Sequence, residues 1–215
     1  MKTFAGIHKV KGKIATQNST PGYRVYDEKL ANKDGREYRI WDPYRSKLAA
    51  AIMNGLEESP FTRDTNVLYL GASSGTTASH LADICSGGMI YCVEFSRRMM
   101  RELLQVTERK ANMFPILADA SKPAEYMRLV SSVDVIYQDV AQSKQAEILL
   151  KNTAAFHPKY AMLSIKSRSI NAVKSPNQVF REETDKLRGT FEILQRIDLR
   201  PFDKDHVILN LRAKK

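Results

Sequence analysis

The order of elements along this chain predicts an α/β protein, with a mostly parallel sheet carrying one reversed strand and a small antiparallel sheet in front of it. Three observations carry the prediction. From residue 67 onward, short apolar runs alternate with stretches rich in helix formers, the pattern of parallel strands joined by helical crossovers. The last two runs are separated only by residues 198–205, too few for a helical crossover, so they pair antiparallel. The first forty residues are turn-rich, divided by Thr20-Pro21-Gly22 and Asn32-Lys33-Asp34-Gly35.

Element by element, the small sheet is expected to use residues 4–14, 23–26 and 37–41. Residues 45–53 are rich in alanine and other helix formers and end at Asn54-Gly55, a C-cap pair, so a helix there joins the small sheet to the main domain. The expected division is residues 1–44 for the small β region and 45–215 for the main domain. Seven strands are expected there, at 67–70, 89–93, 114–117, 133–137, 161–165, 192–197 and 206–211. The helices between the first six are expected at 76–84, 97–110, 123–130, 144–153 and 176–186. Ser175-Pro176-Asn177-Gln178 opens the last of them with an N-cap serine, a first-turn proline and a capping-box glutamine.

Bulk properties narrow the function. A length of 215 residues and a 43% hydrophobic content suit one medium domain with a real core. No run approaches the ~20 apolar residues of a membrane span, and the first residues do not read as a signal peptide. Cys85 and Cys92 lack metal-ligand spacing, which argues for a reducing interior and against structural zinc. A cytoplasmic protein with no membrane contact is expected. The net charge of +10 favours a polyanionic partner, most often nucleic acid. The excess is clustered: no acid precedes Asp27, and the acid-free stretch between Glu147 and Glu182 contains Lys151, Lys159, Lys166, Arg168, Lys174 and Arg181.

Ligands of open α/β sheets sit beyond the carboxyl ends of the strands. The first of these strands runs into Gly71-Ala-Ser-Ser-Gly-Thr76 and then a helix. The glycine spacing is neither the dinucleotide fingerprint nor a Walker A loop, so the segment reads either as a nucleotide-like site without a pyrophosphate or as a plain strand–helix turn. The next strand delivers Glu94, 23 positions after Gly71, near the offset at which an acid takes ribose hydroxyls. The third delivers Asp119-Ala120, the fourth Asp139 to Gln142, the fifth Lys166. Three acids on one rim beside a glycine loop favour the ligand reading.

Longer motifs carry a specific resemblance. These are Tyr38-Arg-Ile-Trp-Asp-Pro-Tyr-Arg-Ser-Lys-Leu-Ala-Ala-Ala-Ile, Val67-Leu-Tyr-Leu-Gly-Ala-Ser-Ser-Gly-Thr-Thr, Tyr91-Cys-Val-Glu-Phe-Ser and Val133-Asp-Val-Ile-Tyr-Gln-Asp-Val-Ala-Gln, extended by Ser164-Ile-Lys166 and Asp205-His206. Together they resemble the fibrillarin family, in its archaeal RNA 2′-O-methyltransferase form, over nearly the whole chain. The resemblance implies a Rossmann-like class I methyltransferase fold and S-adenosylmethionine as cofactor. It places the cofactor against Gly71, Ala72, Ser73, Gly75, Thr76 and Thr77, with Glu94 at the ribose, Phe95 against the adenine, Asp119 and Ala120 at the adenine edge, and Asp139 and Gln142 at the methionine part. It also implies a catalytic set of Lys47, Asp139, Lys166 and His206, with no metal. Lys166 is expected at the 2′-hydroxyl, either as a base or as a retained cation that stabilises the alkoxide.

The same resemblance implies a box C/D guide RNA, target rRNA or tRNA, a Nop-domain scaffold protein and a kink-turn-binding ribosomal-type protein as partners. Two departures stand out. Gly71-Ala-Ser-Ser-Gly replaces the common Gly-Ala-Ala-Ser-Gly, and His157-Pro-Lys-Tyr160 replaces a glycine pair before the fifth strand. Rival readings are a non-catalytic RNA-binding subunit, a small-molecule O-methyltransferase and a nicotinamide dehydrogenase. Their discriminators are methyl transfer, the basic stretches and the glycine spacing respectively.

Overall fold

The computed structural model describes residues 4–214. Seven strands form one sheet in the order β10-β11-β9-β8-β5-β6-β7. They are β5 (Val67–Leu70), β6 (Ile90–Glu94), β7 (Met113–Leu117), β8 (Val135–Gln138), β9 (Tyr160–Lys166), β10 (Phe191–Asp198) and β11 (His206–Ala213). β5 pairs parallel with β6 and β8, while β11 runs antiparallel to both β9 and β10. The reversed strand is therefore where the short 198–205 connection required it.

Helices cover both faces. α1 (Lys47–Met53), α2 (Thr76–Ile84) and α3 (Arg97–Thr107) supply Leu48, Ala78, Leu81 and Leu103 to a core that takes Val67, Tyr69, Ile90 and Cys92 from the sheet. α4 (Gln145–Phe156) and α6 (Pro176–Leu187) bury Ile148, Leu149, Phe180 and Leu187 against Leu68, Leu70, Tyr91 and Val93 on the other face. Alternate residues of each central strand thus enter different cores, which is why these strands read as continuous apolar runs. The N-cap expected at Ser175 is present, and Ser46 caps α1 in the same way. Ser46 and Ser175 each accept a backbone N–H from the first turn of α1 and α6. Gln178, however, turns its side chain to Glu182 rather than closing a capping box.

Several local expectations are corrected. The stretch 4–14 is a hairpin, β1 (Ile7–Val10) and β2 (Lys13–Gln17), because Lys11 and Gly12 take φ of 48° and 78° and reverse the chain. Residues 23–26 form no strand; the Glu28 carboxylate accepts the backbone N–H groups of Val25 and Tyr26 instead. The third and fourth strands of the small sheet are β3 (Leu30–Lys33) and β4 (Arg36–Ile40), so part of the expected turn is strand and only Asp34-Gly35 reverses. Residues 123–130 make two 3₁₀ turns, not an α-helix. Tyr126 between them is buried, its hydroxyl bonded to Ala120 and Asn152. A further short helix, α5 (Ser167–Ile170), follows β9. His157, in place of the expected glycine, adopts the left-handed C-cap of α4 at φ 49°.

The small sheet is locked to α2 by buried charge. Arg39, fully buried on β4, donates to Glu28 at 2.5 Å, to Asp83 at 2.9 Å and to Ser79 at 2.9 Å. Lys110 reaches the other Asp83 oxygen at 2.6 Å. Burial acts to raise the Asp83 carboxyl, but Lys110 and Arg39 outweigh it and hold it below its ordinary range. Thr16 donates to Asp83, so its oxygen accepts from His80 Nδ1 and leaves His80 Nε2 to accept from Tyr26. His80 is thereby held as the neutral Nδ1–H tautomer, its pKa pushed well below 6.5 by burial and by Arg39 and Lys110.

Candidate active site

The glycine loop is shaped by contact as much as by turn geometry. Gly71 sits at φ +82°, and a Cβ there would lie 2.9 Å from the Asp139 carbonyl oxygen, so the loop after β5 presses directly on the loop after β8. Gly75 forms the N-cap of α2 at φ 89°, where a Cβ would meet Leu103 at 3.0 Å. Glu94 ends β6, is 6% exposed, and accepts the backbone N–H groups of Ser73 and Ser96 at 2.8 Å each. One carboxylate thus fixes the tips of two adjacent loops, and each oxygen can still accept a further hydrogen bond.

These loops enclose a cavity of about 350 Å³ at the carboxyl ends of β5, β6 and β8. Gly71, Ser73, Glu94, Phe95, Ala120, Asp139, Gln142 and Lys166 line it, and Val93, Ala118 and Val140 give it apolar wall. Phe95 is 69% exposed, an open ring face at the mouth. Asp119 stands beside the wall, accepting from Gln142 at 3.3 Å and from the Ser121 backbone at 2.8 Å. Burial acts to raise it, but these hydrogen bonds outweigh that and hold its carboxyl below its ordinary range. Ala72, Gly75, Thr76 and Thr77 lie outside the lining. Ala72 is buried, Thr76 opens α2, and Thr77 donates to the Ser46 hydroxyl at 2.9 Å, tying α2 to α1.

Asp139 and Lys166 line the cavity, and beside it cations and carboxylates from distant parts of the chain come together. Lys166 Nζ, at the end of β9, lies 2.8 Å from Asp139 Oδ1 and donates to the Asp139 carbonyl at 2.9 Å. Lys47, the first residue of α1, lies 3.3 Å from the same carboxylate. Lys47 also approaches Asp203 at 3.7 Å, and His206 Nδ1 lies 2.6 Å from Asp203. His206 pairs with Lys166 in the β9–β11 register, and its Nδ1 lies against Asp203 and the Lys204 carbonyl. Burial acts to raise the Asp203 carboxyl, but the His206 hydrogen bond and the charges of His206, Lys47 and Lys166 outweigh it and hold it low.

Asp203 is the one member of this cluster that sequence reasoning missed, since it lies in the β10–β11 connection and read as a turn residue. Its signal was the three-residue spacing to His206, at the start of a strand. Cys85 and Cys92 are buried free thiols; burial raises both, Cys85 to about 12, which removes them as nucleophiles at neutral pH.

The fibrillarin family model matches residues 2–215. The chain belongs to the fibrillarin family. A fibrillarin-like rRNA/tRNA 2′-O-methyltransferase of Methanopyrus kandleri is 55% identical over 200 residues, covering 91% of this chain and 86% of its own. A solved Aeropyrum pernix fibrillarin with natively bound S-adenosyl-L-methionine matches with a TM-score of 0.87 at 44% identity, covering 95% of this chain and 92% of that one. The fibrillarin of a solved fibrillarin/Nop5p complex matches with a TM-score of 0.91 at 38% identity over the whole of both chains. At such identities the fibrillarin fold extends to the small N-terminal sheet and to the reversed β11, not just to the nucleotide-binding half.

Proposed function

We propose that this fibrillarin-family chain is an S-adenosylmethionine-dependent RNA 2′-O-methyltransferase, directed by a box C/D guide RNA on a Nop-domain scaffold with a kink-turn-binding protein. The observation that carries the chemistry is the Lys47–Asp139–Lys166 cluster, whose Asp139 and Lys166 line the cavity. The cavity suits the cofactor: S-adenosylmethionine has a sulfonium and an ammonium group and no phosphate, and Glu94 and Asp139 line the walls, with Asp119 beside them. Bound there, it supplies an electrophilic methyl group.

The chain's own residues do the rest. Glu94, with both oxygens already aligned by backbone donors, is placed to take ribose hydroxyls. The Phe95 face and the Val93, Ala118 and Val140 wall suit the adenine. Lys166 donates to the Asp139 carbonyl and lies beside its carboxylate, which leaves N–H donors for the 2′-oxygen of the RNA. In this reading Lys166 acts as an ammonium that stabilises the alkoxide as it forms, and the hydroxyl proton leaves to water. Lys47 adds a second positive charge on Asp139, and the Asp203–His206 pair holds Lys47 in place.

Target choice lies elsewhere. The basic surface suits RNA backbone, which positions a strand without reading its bases. The test is transfer of labelled methyl to guided RNA with and without a 2′-hydroxyl at the target. Lys166→Ala is expected to abolish transfer while calorimetry finds cofactor affinity within a few-fold. Cofactor binding lost with single-turnover transfer intact would overturn the assignment of Lys166.

A further inference from the structure

The two strands that deliver Asp139 and Lys166 do not end together. β8 leaves the ladder after Gln138, which pairs with Leu163, while β9 runs on to Lys166. Past Leu163 the β8 side of β9 therefore has no strand to take its N–H groups. On the other side β11 stays paired to the end, His206 with Lys166. A backbone amide without an acceptor at a buried strand end is costly, and here it would loosen the residue that carries the reacting cation.

A side chain takes the place of the missing strand. Gln145, the first residue of α4, is fully buried, and its Oε1 accepts the Lys166 N–H at 3.0 Å. The same residue is tied to the other half of the pair. Its carbonyl accepts Gln138 Nε2 at 2.7 Å, and Gln138 directly precedes Asp139. Lys166 Nζ and Asp139 Oδ1, 2.8 Å apart, thus both lead back to Gln145. Gln145 is itself anchored: Glu183 on α6 accepts the Ala146 N–H at 2.9 Å, and Lys186 lies 2.6 Å from its other oxygen.

This arrangement is not the one that packing alone would favour. Gln145 Nε2 and Gln138 Oε1 are buried with no hydrogen-bond partner among the described residues. A buried amide left half-satisfied costs stability that an apolar side chain would not. What the two glutamines hold accounts for their presence.

We propose that Gln145 is a positioning residue for methyl transfer, its Oε1 fixing the backbone of Lys166 so that Nζ stays on Asp139 and meets the 2′-oxygen. It rests on the RNA methyltransferase reading above.

The test is single-turnover transfer to guided RNA by the assembled complex, well below the melting temperature. Gln145→Met is close in length and lacks the acceptor oxygen. It is expected to lower the rate about tenfold to a hundredfold, the scale of a reacting group displaced by up to ~1 Å. The KM for RNA and the Kd for cofactor are expected to stay within about twofold, since neither ligand touches Gln145 in this reading. Gln145→Glu keeps an oxygen at the same reach and is expected to recover most of the rate. Thr153→Val removes another buried hydrogen bond of α4, to the Leu149 carbonyl, and is expected to lower stability without slowing transfer. In wild type, the Lys166 amide is expected to exchange with solvent about a hundredfold or more slower than an unstructured amide.

Gln145→Met transferring at the wild-type rate, or slowed to an extent that Gln145→Glu does not relieve, overturns the positioning role and leaves the methyltransferase reading standing. So does a Lys166 amide that exchanges freely in wild type, a measurement that holds even if Gln145→Met does not fold. Failure of wild type to methylate guided RNA overturns both.

Discussion

Replacing Gly71 by alanine tests the contact on which the site is built. At φ +82° an L-residue costs about 1–2 kcal/mol over glycine. The new Cβ would lie 2.9 Å from the Asp139 oxygen, 3.1 Å from its carbonyl carbon and 3.2 Å from Val140 Cγ1. Two of these neighbours are backbone atoms that cannot swing aside, so relief requires a loop shift of the kind that costs about 1–3 kcal/mol. A sum of about 3 kcal/mol lowers the melting temperature by about 6–12 °C for a chain of this size.

The functional loss should exceed the stability loss. The displaced carbonyl is the one that accepts Lys166 Nζ at 2.9 Å, and a shift of about 1 Å at a reacting group costs on the order of a hundredfold in rate. Thermal unfolding and single-turnover transfer, the latter well below the melting temperature, measure the two effects. Gly35→Ala serves as the control, since Gly35 has φ +73° and nothing within 4 Å of its Cβ position. It should show the backbone strain alone, with transfer unchanged. If Gly71→Ala unfolds like Gly35→Ala and transfers methyl at the wild-type rate, the close approach does not constrain the site and the reasoning fails.

Two further outcomes are expected from the buried network. Arg39→Met leaves Glu28 buried without its cation, and removal of one partner of a buried pair costs about 3–5 kcal/mol. Chemical denaturation should show that loss, and Arg39→Met with Glu28→Gln should recover part of it. His80 makes stability depend on pH: the unfolded chain protonates it near 6.5, the folded chain only well below. The unfolded state then binds more protons, so stability falls as pH drops below about 6.5, by at most ~1.4 kcal/mol per pH unit. That slope should be absent from His80→Gln in urea titrations between pH 7 and 5, and an unchanged slope would contradict the burial of His80 as a neutral imidazole.

Strands buried on both faces and helices with one apolar face announce themselves locally. That is why Val67–Leu70, Thr76–Ile84 and the antiparallel end of the sheet were legible from residue order alone. The acids at strand ends were legible for the same reason, because β6 and β9 run straight into Glu94 and Lys166. The N-terminal region was less so. Its strands are short, its turns depend on left-handed residues such as Lys11, and the 23–26 backbone is satisfied by a side chain rather than a neighbouring strand.

What residue order alone determined was the strand directions, the glycine loop and the chemical types on the rim, since each follows from local periodicity, connection length or position after a strand. Only the tertiary structure decided which charges meet. Asp203 joins Lys47, and Arg39 joins Glu28 and Asp83, because β11 returns beside β9 and the small sheet folds onto α2. Ion pairs depend on distances of a few ångströms between residues far apart in the chain, and local pattern does not encode such distances.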